Sequence, residues 1–373
     1  MRVALVVHQF PVASEGFLVD HATGLLAEGV DVHVVADRVD RAALPPALVD
    51  RTHATATTPG QLATALARHP LLAAHHGRRG PRALARDLPL LALRPDVVHT
   101  EFLTLARDRT HLPDLLGCRL TSSIRGYDVA YAGLADPDHY AGTWPALRAV
   151  HVLGQDLWAR ARERGAPDDL AHTFIPPAVD AASIPTASTG EEGPLRLVAV
   201  GRLHWKKGHH HVLAALALVR QRGVDARLRI VGDGAQLEEV AFARHQLGLD
   251  GVVELLGGLD REAAHAELAG AHVFVHGALT EGFGNAVLEA QAAELPVVCT
   301  DAEGLAENVE DGVTGVVVPR RDPAAMADAL LRLAADPPLR VRMGRAGRER
   351  VATQFTPVAQ RAAFADFFRS VVA

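Results

Sequence analysis

Short runs of β-branched and other apolar residues alternate with longer Ala- and Leu-rich stretches of helical period along nearly the whole chain. In the first half the strand-like runs are RVALVV (2–7), VDVHVVA (30–36), DVVHT (96–100), CRLTSSI (118–124), AVHVLG (149–154) and HTFIP (172–176). The stretch 176–194 is rich in Pro, Ser, Thr and Gly and carries no apolar period, so it reads as a linker. The rhythm then restarts with LRLVAVG (195–201), RLRIVG (227–232), VVELLG (252–257), HVFVHG (272–277), PVVCT (296–300) and TGVVVP (314–319). Such alternation predicts βαβ units and parallel sheets. We therefore expect an α/β chain of two doubly wound, Rossmann-like domains, over 1–178 and 195–356, joined by a linker at 179–194. An amphipathic pattern over 357–373 predicts a last helix that packs back across the hinge onto the N-terminal domain. In sheets of this kind ligands sit at the carboxyl ends of the strands.

Composition agrees. A chain of 373 residues is too long for one ordinary core. Its net charge of −6 lacks the basic footprint of a nucleic-acid binder. The two cysteines, Cys118 and Cys299, are far apart and lack metal-ligand spacing, so reduced thiols are expected. The N-terminal apolar run is too short for a signal peptide, and no run approaches the roughly 20 apolar residues of a membrane span. A cytoplasmic protein is expected, at most peripheral to a membrane. The locally basic stretch 68–86 offers such a contact, to an acidic surface or a lipid-phosphate acceptor; a solvated helix face competes with that reading.

Candidate chemistry concentrates after two strands of the second half. EGFGNAVLE (281–289) follows an apolar strand and opens a helical run. Gly282 and Gly284 permit a tight turn and close backbone approach. The unpaired N–H groups and the dipole of the following helix favour an anion such as a diphosphate. Glu281 in the turn can accept from sugar hydroxyls, and Glu289 on the helix can hold a ribose diol; a capped helix with two surface acids is the plainer alternative. Upstream, in GRLHWKKG (201–208), Arg202 and Lys207 occupy the loop between a strand and a helix. A fixed guanidinium and a point-charge ammonium suit a diphosphate that gains charge as it leaves. The three adjacent histidines His209, His210 and His211 point different ways on a helix and do not form a metal site.

GRLHWKKG followed by EGFGNAVLEA resembles the retaining glycosyltransferases of family GT4, which have the GT-B fold. GDG (232–234), LLGGLDREA (255–263) and the segment from Glu303, with Glu307, Gly312 and Gly315, extend the resemblance over almost the whole second domain. In the first domain, residues 10–36 are similar to the opening loop and helix of the bacterial exopolysaccharide and natural-product branch. Where relatives often have Ser-Glu-Thr-Phe, this chain has Ser14-Glu15-Gly16-Phe17, and Gly16 leaves space for a ligand. In SSIRGYDV (122–129), Arg125 stands where many members carry a His before the Gly.

The resemblance implies a retaining transfer of a sugar from a nucleotide-diphosphate sugar to an acceptor; no DxD motif stands in a plausible strand-end loop, so neither a divalent metal nor another cofactor is expected. It implies Arg202, Lys207 and Glu281 as catalytic residues. Gly16, Gly201, Leu256, Gly282, Phe283, Gly284, Asn285 and Glu289 would line the donor, with the turn at Leu256 near the base. For the acceptor or the sugar we expect His99, Arg125 and Asp128, against a satisfied strand-end histidine at His99 and a structural pairing of Arg125 with Asp128 or Glu101. The acceptor would be a small molecule, a lipid-linked sugar or a saccharide. An epimerase or hydrolase of the same fold, or a non-catalytic nucleotide-sugar-binding partner, are the alternatives.

Overall fold

Every strand-like run of the sequence forms a strand, and all strands pair in parallel. The structure is a computed structural model, and it describes residues 1–12, 15–55, 60, 63 and 81–373. Ser14 and most of the basic stretch 68–86 lie outside the described residues. The chain divides into two units. One comprises Met1–Val152, Trp158–Ile175 and Arg361–Ala373, the other Leu153–Leu157 and Pro176–Gln360.

The first unit holds a seven-stranded sheet: β1 (Arg2–Phe10), β2 (Asp31–Val39), β3 (Thr52–Ala54), β4 (Val97–Thr100), β5 (Arg119–Ile124), β6 (Ala149–Val152) and β7 (His172–Phe174). Their order is β3-β2-β1-β4-β5-β6-β7, so the winding reverses between β1 and β4. The short edge strand β3, Thr-His-Ala, has no apolar run to announce it. The second unit holds β8 (Leu195–Val200), β9 (Ala226–Val231), β10 (Val253–Gly257), β11 (Val273–His276), β12 (Val297–Thr300) and β13 (Gly315–Val318). Their order is β10-β9-β8-β11-β12-β13, with the reversal between β8 and β11. A crevice for ligands opens outside the strand ends at such reversals. Strands β4, β6, β11 and β12 are buried at every position, as expected of parallel strands covered by helices on both faces.

The helices that matter below are α1 (Gly16–Ala27) after β1, α2 (His209–Gln221) after β8, α3 (Asn285–Ala292) after β11, α4 (Leu305–Asn308) after β12, α5 (Pro337–Gln354), and α6 (Pro357–Val372). Phe364, Phe367, Phe368 and Val371 recur at helical spacing along α6 and are buried. They join Leu5, Leu18, Leu25 and Val34 in the core of the first unit, where the last helix was expected to pack. Residues 176–194 form no strand. Ala187 donates to the Ala293 carbonyl at 2.8 Å, and the buried Arg340 guanidinium holds the carbonyls of Thr189 (2.7 Å) and Glu191 (2.8 Å), which fastens this segment to the second unit. Among the described residues, no helix is long and apolar enough to cross a membrane.

Candidate active site

In the second unit the loops after β8 and β11 flank the reversal point and touch each other. The β8 loop ends in a 3₁₀ turn, Trp205–Lys207, and Gly208 follows at φ +60°, a conformation glycine takes without a Cβ penalty. Leu279 N–H donates to the Lys206 carbonyl at 2.7 Å, zipping the β11 loop onto the β8 loop. This junction brings the Lys207 ammonium onto Oε2 of Glu281, seventy-four residues on. His276, the last residue of β11, places Nε2 3.1 Å from the same oxygen. Gly282 N–H donates to Oε1 at 3.2 Å. The N–H of Glu281 itself goes to Oε2 of the buried Glu303, at 2.8 Å.

The electrostatics follow from these contacts. Burial alone would raise the pKa of Glu281, but the Lys207 charge and the His276 hydrogen bond outweigh it, and the carboxyl is held far below its ordinary range. Burial pushes the His276 pKa down against the pull of Glu281, so the ring is a neutral donor at neutral pH. The site therefore holds one carboxylate fixed by one full cation and one neutral donor.

Beside it lies the N-terminus of α3. Gly284 precedes the helix at φ +91°, and no side chain caps it. Asn308 Nδ2 donates to the carbonyls of Phe283 (2.9 Å) and Gly284 (3.1 Å), and its own Oδ1 is held by Gln291 at 2.7 Å. These buried amides take up the carbonyl side of the turn. Phe283 is buried edge-to-face against Phe355, 5.7 Å between centroids, while Asn285 is exposed. Glu289 is half-buried, and its nearest ionic partner is His265 at 3.9 Å. Arg202 is exposed and makes no ion pair among the described residues. Gly201 directly follows β8 and the half-buried Leu256 lies near the end of β10, so both sit on the carboxyl edge of the sheet. Glu307, quoted above only as part of a pattern, accepts the N–H groups of Gln155 and Asp156 at 2.9 Å each. Of the histidine tract, His209 is buried with Nε2 3.2 Å from the Arg202 carbonyl, and the His210 and His211 rings lie 3.9 Å apart.

The first unit has its own polar cluster at the ends of β4 and β5. Glu101, fully buried, receives His21 Nδ1 at 2.9 Å on one oxygen and the Arg125 guanidinium on the other. Arg125 Nε also donates to the Glu101 carbonyl at 3.1 Å, and the guanidinium lies 4.6 Å over the Phe17 ring. The pairing of Arg125 with Glu101, the structural alternative named above, is thus present. Asp128 is buried and accepts the N–H groups of Arg125 (3.0 Å) and Thr104 (3.3 Å), which makes it a brace of the loop. His99 takes the place of a satisfied strand-end histidine. It is fully buried, with Nδ1 2.9 Å from Thr121 Oγ1 and Nε2 2.9 Å from Ser123 Oγ. Ser123 in turn meets His151 at 2.8 Å, and Phe368 packs edge-on against His99 at 5.2 Å. Alternation along β4 turns His99 into the core under α6, so a direct ligand contact from its ring is not available in this arrangement. Gly16 opens α1, and a β-carbon there would meet nothing within 4 Å.

Comparison with known proteins agrees with the motifs. Residues 183–350 match the family model described as glycosyl transferases group 1. Glycogen synthase of Mycobacterium tuberculosis is 30% identical over 271 residues, which cover 70% of this chain and 66% of that protein. The chain carries a group 1 glycosyltransferase domain. The amylovoran biosynthesis glycosyltransferase AmsK of Erwinia amylovora is 27% identical over 405 residues, 95% of this chain and 96% of that one. Among solved structures, Anabaena Alr3699/HepE in complex with UDP and glucose superposes with a TM-score of 0.81 at 16% identity, covering 99% of this chain and 100% of that one. That likeness gives the GT-B fold.

The group 1 match spans Arg202, Lys207, Glu281 and Glu289, and the cluster around Glu101 lies before it. The structure adds three residues to the neighbourhood of Glu281 that sequence reasoning left out: His276, Glu303 and Arg320. His276 had one legible signal, a histidine ending an apolar strand just before the Glu-Gly-Phe-Gly turn. Glu303 and Arg320 had none, because each follows a different strand and only the order β11-β12-β13 makes them neighbours. In the first unit His21 was also missed; it lies eighty residues from Glu101 in sequence.

Proposed function

We propose that this chain is a retaining, metal-independent glycosyltransferase that moves a sugar from a nucleotide-diphosphate sugar to an acceptor hydroxyl. The observation that carries the reading is the Lys207–Glu281 pair beside the uncapped N-terminus of α3, at the reversal point of the second sheet. A diphosphate there gains the N–H groups of Phe283, Gly284 and Asn285, the helix dipole, and the cations Arg202 and Lys207. Glu281 then accepts from sugar hydroxyls, and Glu289 from the ribose diol. The bond from the anomeric carbon to the donor phosphate oxygen breaks, and its electron pair leaves with the diphosphate. Arg202 and Lys207 stabilise that charge as it develops, which is the role a metal ion fills elsewhere. The acceptor oxygen attacks the same face, and its proton passes to a phosphate oxygen of the leaving group, so the anomeric configuration is kept. The UDP and glucose in the HepE structure support a nucleotide-diphosphate donor.

A thermal-shift panel of UDP, GDP, ADP and dTDP with their sugars tests the donor site and names base and sugar together, because a ligand of the native state raises melting by mass action. Turnover is then followed with EDTA present, and the anomeric proton coupling of the product is compared with that of the donor. A panel with no shift sinks the donor site, an inverted anomer sinks retention, and loss of turnover in EDTA sinks metal independence.

A further inference from the structure

We infer that Glu303 is a positioning residue that sets the place of Glu281 and thereby the grip on the donor sugar, an inference that rests on the donor-site reading above. Two contacts from neighbouring residues clamp the backbone of Glu281 on both sides. Glu303 Oε2 accepts its N–H at 2.8 Å, and Gly304 N–H donates to its carbonyl at 3.3 Å. There is no room for this clamp to slide: a β-carbon on Gly304 would lie 2.8 Å from the Phe283 Cα.

A buried carboxylate is a costly way to hold one N–H, because its charge must be compensated. Here the compensation is visible. Glu303 Oε1 lies 3.3 Å from Arg320 Nη1, and Arg320 is itself fixed on Asp301 Oδ1 by its N–H (2.9 Å) and its Nε (3.1 Å). Asp301 and Glu303 follow β12, Arg320 follows β13, and Glu281 follows β11. The chain of contacts therefore ties three adjacent strand ends to one peptide. That peptide carries the carboxylate whose Oε2 serves both Lys207 and His276 and whose Oε1, among the described residues, takes only the N–H of Gly282. Oε1 is the atom with capacity for a sugar hydroxyl. A shift of the Glu281 peptide swings Oε1 and leaves the diphosphate contacts at Arg202 and the α3 N-terminus in place.

The test uses the full chain and the nucleoside diphosphate, with its sugar, that raises wild-type melting most. The readout is the ratio of the two dissociation constants, together with turnover. Glu303→Ala is expected to keep diphosphate affinity within about threefold and to lose about tenfold or more of the extra affinity the sugar provides, with turnover falling alongside. Glu303→Gln keeps an oxygen for the Glu281 N–H and should recover most of that ratio. If Glu303→Ala does not fold, Glu303→Asp carries the test, since it draws the carboxylate back by one methylene and should show the same selective loss. A folded Ala or Asp variant with the wild-type ratio overturns the positioning role while leaving the donor site standing. A wild type that binds no nucleoside diphosphate overturns the donor-site reading and this inference with it.

Discussion

Gly208 and Gly277 meet backbone to backbone: a β-carbon on Gly277 would lie 2.8 Å from the Gly208 carbonyl oxygen, and one on Gly208 would fall onto the Gly277 carbonyl. This contact is what lets the β8 and β11 loops share a site, since it sets the spacing at which Lys207 reaches Glu281. Gly208→Ala meets both the clash and the φ of +60°. It should cost about 3 kcal/mol or more, or else prise the loops apart and abolish nucleotide binding. Gly16→Ala is the control. Its β-carbon meets nothing, so stability should stay within about 0.5 kcal/mol of wild type. Urea melts of both variants, with nucleotide titrations, check the contrast.

Lys207→Ala and Glu281→Ala should each lower turnover by about 10²–10³ while the chain stays folded, by analogy with the removal of one charged or hydrogen-bonding group from a transition-state site. The two losses should not add, because the residues are partners and either deletion disables the other. Lys207→Ala also removes the charge that holds Glu281 ionised, so the pKa of Glu281 moves up in that variant. Single- and double-variant turnover measured across pH checks this. Near-normal turnover in both single variants would end the site assignment.

How much of this was readable beforehand depended on whether neighbours in space were neighbours in sequence. The two sheets were legible because each buried strand leaves its own apolar run; among the described strands only Thr52–Ala54, a three-residue edge, left none. Lys207 and Glu281 were legible because each sits in a local motif after a strand. His99 was open between two readings for a local reason: the end of a strand shows two faces, and nothing in VVHTEF says which is turned to solvent. Glu303 and Arg320 were invisible because their meeting depends on the order of three strands. The anchoring role of Glu101 was half-visible, named as a partner of Arg125 without the second partner, His21.

The last helix supplies the third prediction. Phe368 is fully buried in the core of the first unit and packs on His99 as well as on Phe367, 5.2 Å away in each case. Phe368→Ala should destabilise by about 3–5 kcal/mol, the range for a large aromatic lost from a core. If the two units melt separately, the loss should appear in one calorimetric transition only, and nucleotide binding should persist between the two. A melt indistinguishable from wild type would mean that α6 is not held on this core.

The buried histidines make stability depend on pH with a definite sign. Burial pushes the pKa of His99 down to about 3 and that of His209 to about 4, and it holds His151 well below its ordinary value. An unfolded histidine titrates near 6.5, so between about 6.5 and the folded values the unfolded chain binds more protons than the folded one. Stability is therefore full above about pH 6.5 and erodes as pH falls, by up to about 1.4 kcal/mol per pH unit for each such histidine. Further down, Glu101 and Glu281 add to the slope in the same direction. Burial would raise both, but His21 and Arg125 around Glu101, and Lys207 and His276 around Glu281, hold them ionised below the range of an unfolded carboxylate. Urea midpoints between pH 7.5 and pH 5 should fall steadily. His99→Asn, which keeps a donor and an acceptor for Thr121 and Ser123 but cannot take a proton, should be less stable at pH 7.5 and lose stability more slowly with acid. An acid slope equal to that of wild type would show that His99 does not contribute to it.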